Sequence, residues 1–332
     1  MENNIYYNYH KNKYPLMEKQ DIIKLVFQST LGPNHFGGNL SKERINDYLI
    51  NELNSLSINK EENLYEWISS KYVRINLFKY KEYNLDLNNL LEMFYISANT
   101  SSYNKELLKD NLLKYLNDKD LQDYNYQAVS HSEIYRNNYN PHYRVINSSY
   151  IDLNLKYVQL LNFINNQKDK SIIAIEGRCA SGKTTLSNLL EKDFTIIRVD
   201  DFFIEKNSKK ENISKYGNIN YNNLYITLKE IKNAFNNNIK ELTFKAFDCT
   251  TQSYYDKTIK ITNKIILEGS YSSSPYFKEF IDKVCFLNIC KEIQYERISN
   301  RFLAKRFFEE WIPLEEQYFA NNDPISTCDI II

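Results

Sequence analysis

The chain has 332 residues, enough for about two domains of roughly 150 residues each, so a single small module is excluded. Lysine plus arginine and aspartate plus glutamate number 42 each, and this balance excludes the global positive field of a general nucleic-acid-binding protein. No stretch approaches the ~18 uninterrupted apolar residues of a membrane span, and residues 1–14 lack the apolar core of a secretory signal, so we expect a globular cytoplasmic protein without membrane contact.

Two compositionally different halves follow one another along the chain. All four histidines precede residue 150, and all five cysteines follow it. The cysteines are odd in number and form no C-x-x-C pair, so we expect them to be reduced and to form neither a disulfide framework nor a zinc ribbon. We place the domain boundary near residue 150 and predict one domain over 1–150 and a second over 151–332.

Amphipathic patterns in the first half predict helices over 15–30, 42–56, 84–97 and 104–117, so we expect a mostly α-helical domain. The segment 129–144 is dense in histidine, arginine and tyrosine, and its proline favours a structured loop. The residues of a candidate second site in this half are His35, His131, Glu133, Arg136, His142 and Arg144. Three interpretations stay open: a metal site, a grip on a phosphate or carboxylate, and hydrogen-bonded structural side chains that pack against the second half.

The second half begins with a helical pattern over 157–164 and a short apolar run over 171–175 that predicts a buried strand. Residues 177–184 then match G-x-x-x-x-G-K-[ST], and a helix-like segment follows. Strand, glycine-rich loop and helix in this order are the context that a phosphate-binding P-loop requires. The residues assigned to the nucleotide are Gly177, Arg178, Cys179, Ala180, Ser181, Gly182, Lys183, Thr184 and Thr185. In such a loop the lysine neutralises phosphate charge, and the hydroxyl of Thr184 binds Mg²⁺.

Two further predicted strands end in carboxylates. The run 194–199 leads into Asp200 and Asp201, and the run 261–267 leads into Glu268. The carboxyl ends of parallel strands meet at one edge of a doubly wound sheet, where ligands bind, so we place Glu268 near Mg²⁺. Because no histidine follows residue 150, a base for an acceptor hydroxyl is a carboxylate or comes from the first half, and Asp200 is best placed.

The remaining patterns complete an α/β fold. They predict a helix over 221–235, a β-hairpin over 241–262, strands over 284–289 and 328–332, and a helical run over 292–308. The helical run places Arg297 and Arg301 on one face, from which a lid would close over the γ-phosphate. We predict a doubly wound, mainly parallel sheet of the P-loop NTPase type, preceded by the mostly α-helical domain.

Four segments carry a family resemblance: 177–185, 200–203, 268–272 and 306–319. Together they resemble the uridine kinase-like group of P-loop kinases, over about residues 160–332. The resemblance implies transfer of the γ-phosphate of ATP, with Mg²⁺, to a hydroxyl of a nucleoside or similar small alcohol. It implies Asp200 as the catalytic aspartate, Lys183 at the phosphates, Thr184 and Glu268 near Mg²⁺, and Arg301 in the lid. The first half resembles an uncharacterised bacterial domain fused to such kinases, which implies no activity.

Acceptor recognition departs from the family pattern. Uridine kinases usually carry a histidine shortly after an aromatic-Asp pair in the hairpin, whereas here Phe247 and Asp248 are followed by Gln252 near that place. A glutamine can still hydrogen-bond a base edge, so the identity of the acceptor stays open. The candidate acceptor-binding residues are Asp201, Phe203, Phe247, Asp248, Gln252 and Tyr271.

A small-molecule kinase that uses ATP and Mg²⁺ is the leading hypothesis, and two alternatives remain. One is a nucleotide-dependent switch that acts on a partner through the first domain, with slow hydrolysis and no small acceptor. The other is a bifunctional enzyme with a second reaction near His131 and Arg136. The expected partner of the leading hypothesis is a small-molecule acceptor, and homo-oligomerisation stays open.

Overall fold

The computed structural model describes residues 2–33, 41–56, 63–100, 104–122, 124, 128–204 and 218–332. The chain divides into two compact units, Met1–Asp152 and Leu153–Ile332, which are called unit 1 and unit 2. Within the described ranges, no helix combines the length and the apolar character needed to cross a membrane.

Unit 1 is built mainly of helices, as its amphipathic patterns predict. The helices are α1 (Glu2–Lys13), α2 (Lys19–Leu31), α3 (Lys42–Ser55), α4 (Leu77–Glu82), α5 (Leu87–Thr100), α6 (Lys105–Leu112), α7 (Asp118–Gln122) and α8 (Glu133–Tyr139). Polar caps start several of them: Ser41 accepts a hydrogen bond from the backbone N–H of Arg44, and Asn104 accepts one from that of Leu107. The prediction of a mostly helical first part is confirmed.

Unit 1 also contains a three-stranded antiparallel sheet, which the sequence patterns did not predict. Its strands are β1 (Tyr65–Trp67), β2 (Tyr72–Asn76) and β3 (Tyr143–Asn147), in the order β1-β2-β3. β1 and β2 are buried along their whole length. Their polar and apolar residues alternate, but over only three and five residues, which is too short a run to identify a strand from the sequence.

The segment 129–144, expected to be a structured loop, is a helix followed by a strand. Ser132 caps the start of α8 by accepting a hydrogen bond from the backbone N–H of Tyr135. Asn140, with a left-handed φ of 44°, ends the helix, and Pro141 follows it. The expectation of a loop is wrong, because Pro141 lies in the short connection between two regular elements and inside neither.

Unit 2 is an α/β structure around a parallel sheet. Its strands are β4 (Ser171–Gly177), β5 (Thr195–Arg198), β6 (Glu241–Asp248), β7 (Ser253–Lys260), β8 (Lys264–Glu268), β9 (Lys283–Leu287) and β10 (Ile330–Ile331). Its helices are α9 (Leu153–Asn165), α10 (Lys183–Leu190), α11 (Tyr221–Asn237), α12 (Lys291–Ser299), α13 (Ala304–Arg306), α14 (Ile312–Asn322) and α15 (Pro324–Thr327). β6 and β7 pair as an antiparallel hairpin, which confirms the hairpin predicted over 241–262.

The sheet of unit 2 has five strands in the order β10-β9-β4-β8-β5, and every neighbouring pair is parallel. β4 is central, and all seven of its residues are buried. The chain passes from β8 on one side of β4 to β9 on the other, so the carboxyl end of β4 is a switch point, where open α/β sheets bind ligands. This arrangement confirms the predicted α/β fold with a parallel sheet.

The helical run predicted over 292–308 is interrupted. α12 ends before Arg301, whose backbone N–H bonds to the carbonyl oxygen of Ile298 at 2.9 Å in a tight turn. α13 and a π-helical turn over 307–311 follow. The expectation that Arg297 and Arg301 share one helix face is therefore wrong, because the turn breaks the helical spacing between them.

A close backbone approach beside β8 gives a test of this fold. Gly269 has a φ of 145°, and a Cβ there would lie 2.7 Å from the Cβ of Val199. We expect Gly269→Ala to lower the free energy of unfolding by about 2 kcal/mol or more, because it adds both a clash and backbone strain. Adding Val199→Ala should restore only the small part due to the Cγ2 contact at 3.0 Å, because alanine keeps the Cβ that clashes. Urea denaturation measures both, and native stability of Gly269→Ala would contradict this approach.

Candidate functional site

A loop with two glycines joins the central strand to α10. Gly177 has a φ of 151°, and a Cβ there would lie 2.5 Å from the carbonyl oxygen of Leu287, so only glycine fits. Gly182, with a φ of 102°, is the N-cap of α10. The loop therefore wraps around a helix N-terminus, where N–H groups without intrahelical partners and the positive end of the helix dipole attract anions.

Lys183 is buried at the first position of α10. Its Nζ donates hydrogen bonds to the carbonyl oxygens of Gly177 at 2.7 Å and Arg178 at 2.8 Å, and lies 3.4 Å from the hydroxyl of Ser270. Among the described residues, this ammonium has only neutral acceptors. A charged phosphate oxygen would be a stronger acceptor than any of them.

The interior of the loop fits a phosphate group. Ser181 is 3% exposed, and its hydroxyl has no hydrogen-bond partner in the described part of the chain. A Cβ on Gly182 would meet no atom within 4 Å, so open space lies beside the loop. A buried hydroxyl without a partner costs free energy, and an oxyanion in this space would supply the missing acceptor.

Glu268, at the end of β8, is buried beside Thr184. The hydroxyl of Thr184 donates to Oε1 of Glu268 at 3.3 Å, and Nη1 of Arg198 donates to Oε2 at 3.1 Å. A hydroxyl and a carboxylate at this distance are oxygen ligands of the kind that Mg²⁺ prefers, so the residues present fit this ion. The structure thus brings together the two residues that the sequence assigns to Mg²⁺.

Asp200 lies just beyond β5, in a 3₁₀ turn over Val199–Phe202. Its side chain is accessible to solvent, but the surrounding protein desolvates the carboxylate, and the negative charge of Glu268 adds to this effect. Together they raise the pKa of Asp200 to about 6. The carboxylate form still dominates at neutral pH, so this group can accept a proton from a hydroxyl.

The residues after Asp200 anchor the β6–β7 hairpin. Nζ of Lys257 donates to Oδ2 of Asp201 at 2.8 Å, and the ring of Phe202 stacks on that of Phe244 with centroids 5.2 Å apart. Phe203 is half-buried. The hairpin is therefore held against the turn that carries Asp200.

Asp248 and Gln252 stabilise the turn of the hairpin. Asp248 accepts hydrogen bonds from the backbone N–H of Thr250 at 2.7 Å and the hydroxyl of Thr251 at 2.9 Å. Gln252, with a φ of 56°, donates to the carbonyl oxygen of Cys249 at 2.6 Å. Two of the polar side chains proposed for the acceptor, Asp248 and Gln252, are thus engaged by the turn itself.

Phe247 and Tyr271 contribute buried rings to the same region. Phe247 is 4% exposed and packs on Tyr254 with ring centroids 5.1 Å apart. Tyr271 is 8% exposed and packs edge-on against Tyr318, 4.9 Å between centroids. These rings supply apolar walls to the carboxyl edge of the sheet.

Arg297, and not Arg301, contacts the glycine-rich loop. Nη1 of Arg297 donates to the carbonyl oxygen of Ala180 at 3.0 Å. Arg301 is exposed, and its Cζ lies 5.2 Å from the centre of the Phe307 ring. In the part of the chain that the structure describes, Arg301 makes no polar contact with the loop.

Glu176 is a site residue that the motifs missed. Its buried carboxylate accepts hydrogen bonds from the backbone N–H groups of Gly177, Tyr271 and Ser273, at 2.9 to 3.1 Å, and from the hydroxyl of Tyr318. Burial raises the pKa of this carboxyl. A sequence signal was present, because a glutamate that ends an apolar strand needs partners there.

Glu315 is a second such residue, 2% exposed on α14. Its Oε1 accepts hydrogen bonds from the backbone N–H of Cys179 at 2.7 Å and from the hydroxyl of Ser270 at 2.9 Å, and its Oε2 accepts one from Gln294. This carboxylate ties α14 to the loop. The residue lies in the segment 306–319 that contributes to the family resemblance, but its pattern alone does not single it out, because a glutamate in a polar helix is ordinarily solvated.

The strand order, the glycine conformations of the loop and the lysine at the helix N-terminus together decide the fold of unit 2. It is a P-loop NTPase-type domain. No model of a known protein family matches the chain, and no curated protein matches it.

Two solved structures are similar to about half of this chain. A protein from Bacillus stearothermophilus described as a possible uridine kinase has 20% identity and a TM-score of 0.42, over 54% of this chain and 98% of that one. A protein from Silicibacter sp. TM1040 described as a candidate fructose transport system kinase has 15% identity and a TM-score of 0.36, over 50% of this chain and 88% of that one. The fold of the P-loop domain rests on its own strand order and loop geometry.

His131, from the candidate second site in unit 1, is buried in a hydrogen-bonded cluster. Its Nδ1 bonds to Oδ1 of Asp21 at 2.8 Å, its Nε2 bonds to the hydroxyl of Tyr143 at 2.7 Å, and its ring stacks on Tyr135. Both ring nitrogens are occupied, so the geometry favours the structural interpretation for this residue.

The structure does not bring the other predicted second-site residues together with His131. His142 and Arg144 both bind the carboxylate of Glu52, at 2.9 and 2.7 Å. Two more, Glu133 and Arg136, are exposed on α8, and His35 lies outside the described residues. No group of three or more potential ligands able to hold a metal lies within the described ranges, so the metal interpretation gains no support.

The buried imidazole predicts a loss of stability in acid. Desolvation lowers the pKa of His131 to about 4, from an ordinary value of 6.5. Between these values the unfolded chain binds a proton that the folded chain excludes, so stability is full above pH 6.5 and falls by up to about 3 kcal/mol as pH drops towards 4. Urea denaturation across this range measures the slope.

His131→Gln should reduce that slope, because it removes the titrating group, whereas the half-exposed control His142→Gln should leave it unchanged. An unaltered slope in His131→Gln would refute the assignment of the acid sensitivity to this imidazole.

Glu176→Gln tests the hydrogen bonds at the end of β4. The amide would turn an NH₂ group towards backbone N–H groups that cannot move away, so we expect the free energy of unfolding to fall by about 2 to 3 kcal/mol. Ser273→Ala is the control, since it removes one hydroxyl donor and keeps the backbone N–H, and it should cost much less. Equal losses in the two variants would speak against Glu176 as the shared acceptor.

Proposed function

We propose that the protein is an ATP- and Mg²⁺-dependent phosphotransferase that moves the γ-phosphate to a hydroxyl of a small molecule, a nucleoside or similar alcohol. The observation that carries the proposal is the grouping of Lys183, the Thr184–Glu268 pair and Asp200 at one edge of the sheet. A nucleotide switch requires the first two features and has no need of a separate carboxylate base.

The loop would hold the phosphates of ATP. Backbone N–H groups at the start of α10 face this space, the hydroxyl of Ser181 lacks a partner within the described ranges, and Lys183 has only neutral acceptors there. Phosphate oxygens would satisfy these donors and neutralise the buried ammonium. The contact of Arg297 with the carbonyl of Ala180 supports the loop from its outer side.

Thr184 and Glu268 would hold Mg²⁺, which supplies charge neutralisation at the phosphates when bound. Arg198 contacts Oε2 of Glu268, so Oε1 remains directed at the hydroxyl of Thr184. The arginine therefore orients the carboxylate without occupying both oxygens.

Asp200 would position the acceptor hydroxyl and take its proton as the new O–P bond forms. A hydroxyl is too weak an acid to be ionised beforehand, so most of the acceleration comes from alignment and charge neutralisation. The Asp201–Lys257 ion pair holds the β6–β7 hairpin against the turn that contains Asp200.

Asp200→Asn separates catalysis from nucleotide binding. We expect kcat for phosphate transfer to fall by about 100-fold or more, with ATP affinity within about threefold of native, because the amide keeps the shape and cannot take a proton. ADP release measures turnover across nucleosides, nicotinamide riboside, pantothenate and simple sugars, and calorimetry measures ATP binding.

Lys183→Ala is the complementary variant, which should lose ATP affinity as well as turnover. Asp201→Asn is the matched control, since it weakens the ion pair with Lys257 and leaves the neighbouring carboxylate in place. Native turnover in Asp200→Asn would reject the assigned base, and native ATP binding in Lys183→Ala would reject the phosphate loop.

A further inference from the structure

A second cavity lies in unit 1, on one face of its three-stranded sheet. The space open to the centre of a water-sized sphere is about 30 Å³, inside a recess with about 370 Å³ of empty volume that continues to solvent. Its lining includes Arg74 and Asn76 from β2, Tyr143 from β3, and Tyr139 from α8. The cavity has room for a small polar group, and the rest of a bound ligand could extend into the recess that opens to solvent.

The base of the cavity holds a buried positive charge. Arg74 is 3% exposed, and its Nε and Nη2 both donate to one oxygen of Gln28, at 3.0 and 2.8 Å. In the described part of the chain no carboxylate forms an ion pair with Arg74. Glu66, directly opposite in the sheet register, is engaged by Lys13 and by the hydroxyl of Tyr14. Glu66 also lines the cavity, and the nearby Tyr143 and Glu66 raise the pKa of Arg74 despite its burial. Because Glu66 is shared with Lys13, two cations face a single carboxylate, and a bound anion would complete the charge balance.

The guanidinium is held in place by a chain of contacts. Its Cζ lies 4.6 Å from the centre of the Tyr143 ring. The Tyr143 hydroxyl bonds to His131, and His131 bonds to Asp21, so the buried cluster described above supports one wall of the cavity. This support fixes the orientation of Arg74 before any ligand arrives, which lowers the entropic cost of binding.

Three hydrogen-bond donors of the lining remain available. Nη1 of Arg74 has no partner among the described residues. The amide oxygen of Asn76 accepts from the backbone N–H of Lys79, and its Nδ2 has no partner in the same ranges. The hydroxyl of Tyr139 accepts from the N–H of Leu16, which leaves its own proton for another acceptor. The cavity therefore presents three donors, two from β2 and one from α8.

We propose that this cavity binds the phosphate group of a small phosphomonoester, with Arg74 as the anchor. Three available donors match the three terminal oxygens of a phosphomonoester better than the two oxygens of a carboxylate. Lys13 adds a further positive charge beside Glu66 at the same face. This site belongs to unit 1 alone and does not depend on the kinase activity proposed for unit 2.

The test uses the full chain carrying Lys183→Ala, so that the P-loop does not dominate phosphate binding. Inorganic phosphate is the probe, and calorimetry or ³¹P line broadening measures its affinity. We expect millimolar binding, about tenfold or more weaker with added Arg74→Met, and weaker binding of acetate than of phosphate. Arg144→Met is the matched control, because Arg144 lies on the adjacent strand, pairs with Glu52 and should not alter the affinity.

Tyr139→Phe keeps the proposal testable if Arg74→Met fails to fold. It retains the ring, removes one donor and should weaken phosphate binding by about threefold to tenfold. The proposal is overturned if phosphate does not bind the Lys183→Ala chain at tens of millimolar. It is also overturned if Arg74→Met and Tyr139→Phe bind as tightly as the parent. Acetate binding equal to that of phosphate would reject the phosphomonoester in favour of a carboxylate.

Discussion

The carboxyl edge of the parallel sheet depends on one buried carboxylate. Glu176 ends the central strand, and the backbone N–H groups that it accepts come both from the glycine-rich loop and from the segment after β8. The glycine-rich loop leads into Lys183, and the segment after β8 follows Glu268. A single acceptor therefore sets the separation between these two residues. A buried carboxylate is tolerated here because five hydrogen bonds replace its hydration, while burial still raises its pKa.

Two other carboxylates at this edge differ because their neighbours differ. Glu268 is paired with Arg198 and with the hydroxyl of Thr184, an arrangement that orients it. Asp200 forms no ion pair with any of the described residues, and desolvation with the nearby charge of Glu268 raises its pKa to about 6. One carboxylate is therefore suited to a cation, and the other to accepting a proton near neutral pH.

In unit 1, too, buried polar side chains are stabilised by hydrogen bonds to one another. Asp21, His131 and Tyr143 form hydrogen bonds with one another in the interior, and Arg74 stacks on the Tyr143 ring. Arg74 shares the one nearby carboxylate, Glu66, with Lys13. A guanidinium placed in this way, beside a cavity with further donors, is the feature that the stability of the fold alone does not require.

The sequence by itself determined the strand, loop and helix around Lys183 and the carboxylates that follow β5 and β8, because these features are contiguous and governed by local backbone rules. Tertiary structure alone decided which groups meet them. Glu315 reaches the loop from a distant helix, and Arg297 contacts it where a continuous helix would have favoured Arg301 as well. The sequence did not predict the sheet of unit 1 either, since its strands are too short for their alternation to stand out, and their pairing depends on contacts between residues far apart in the chain.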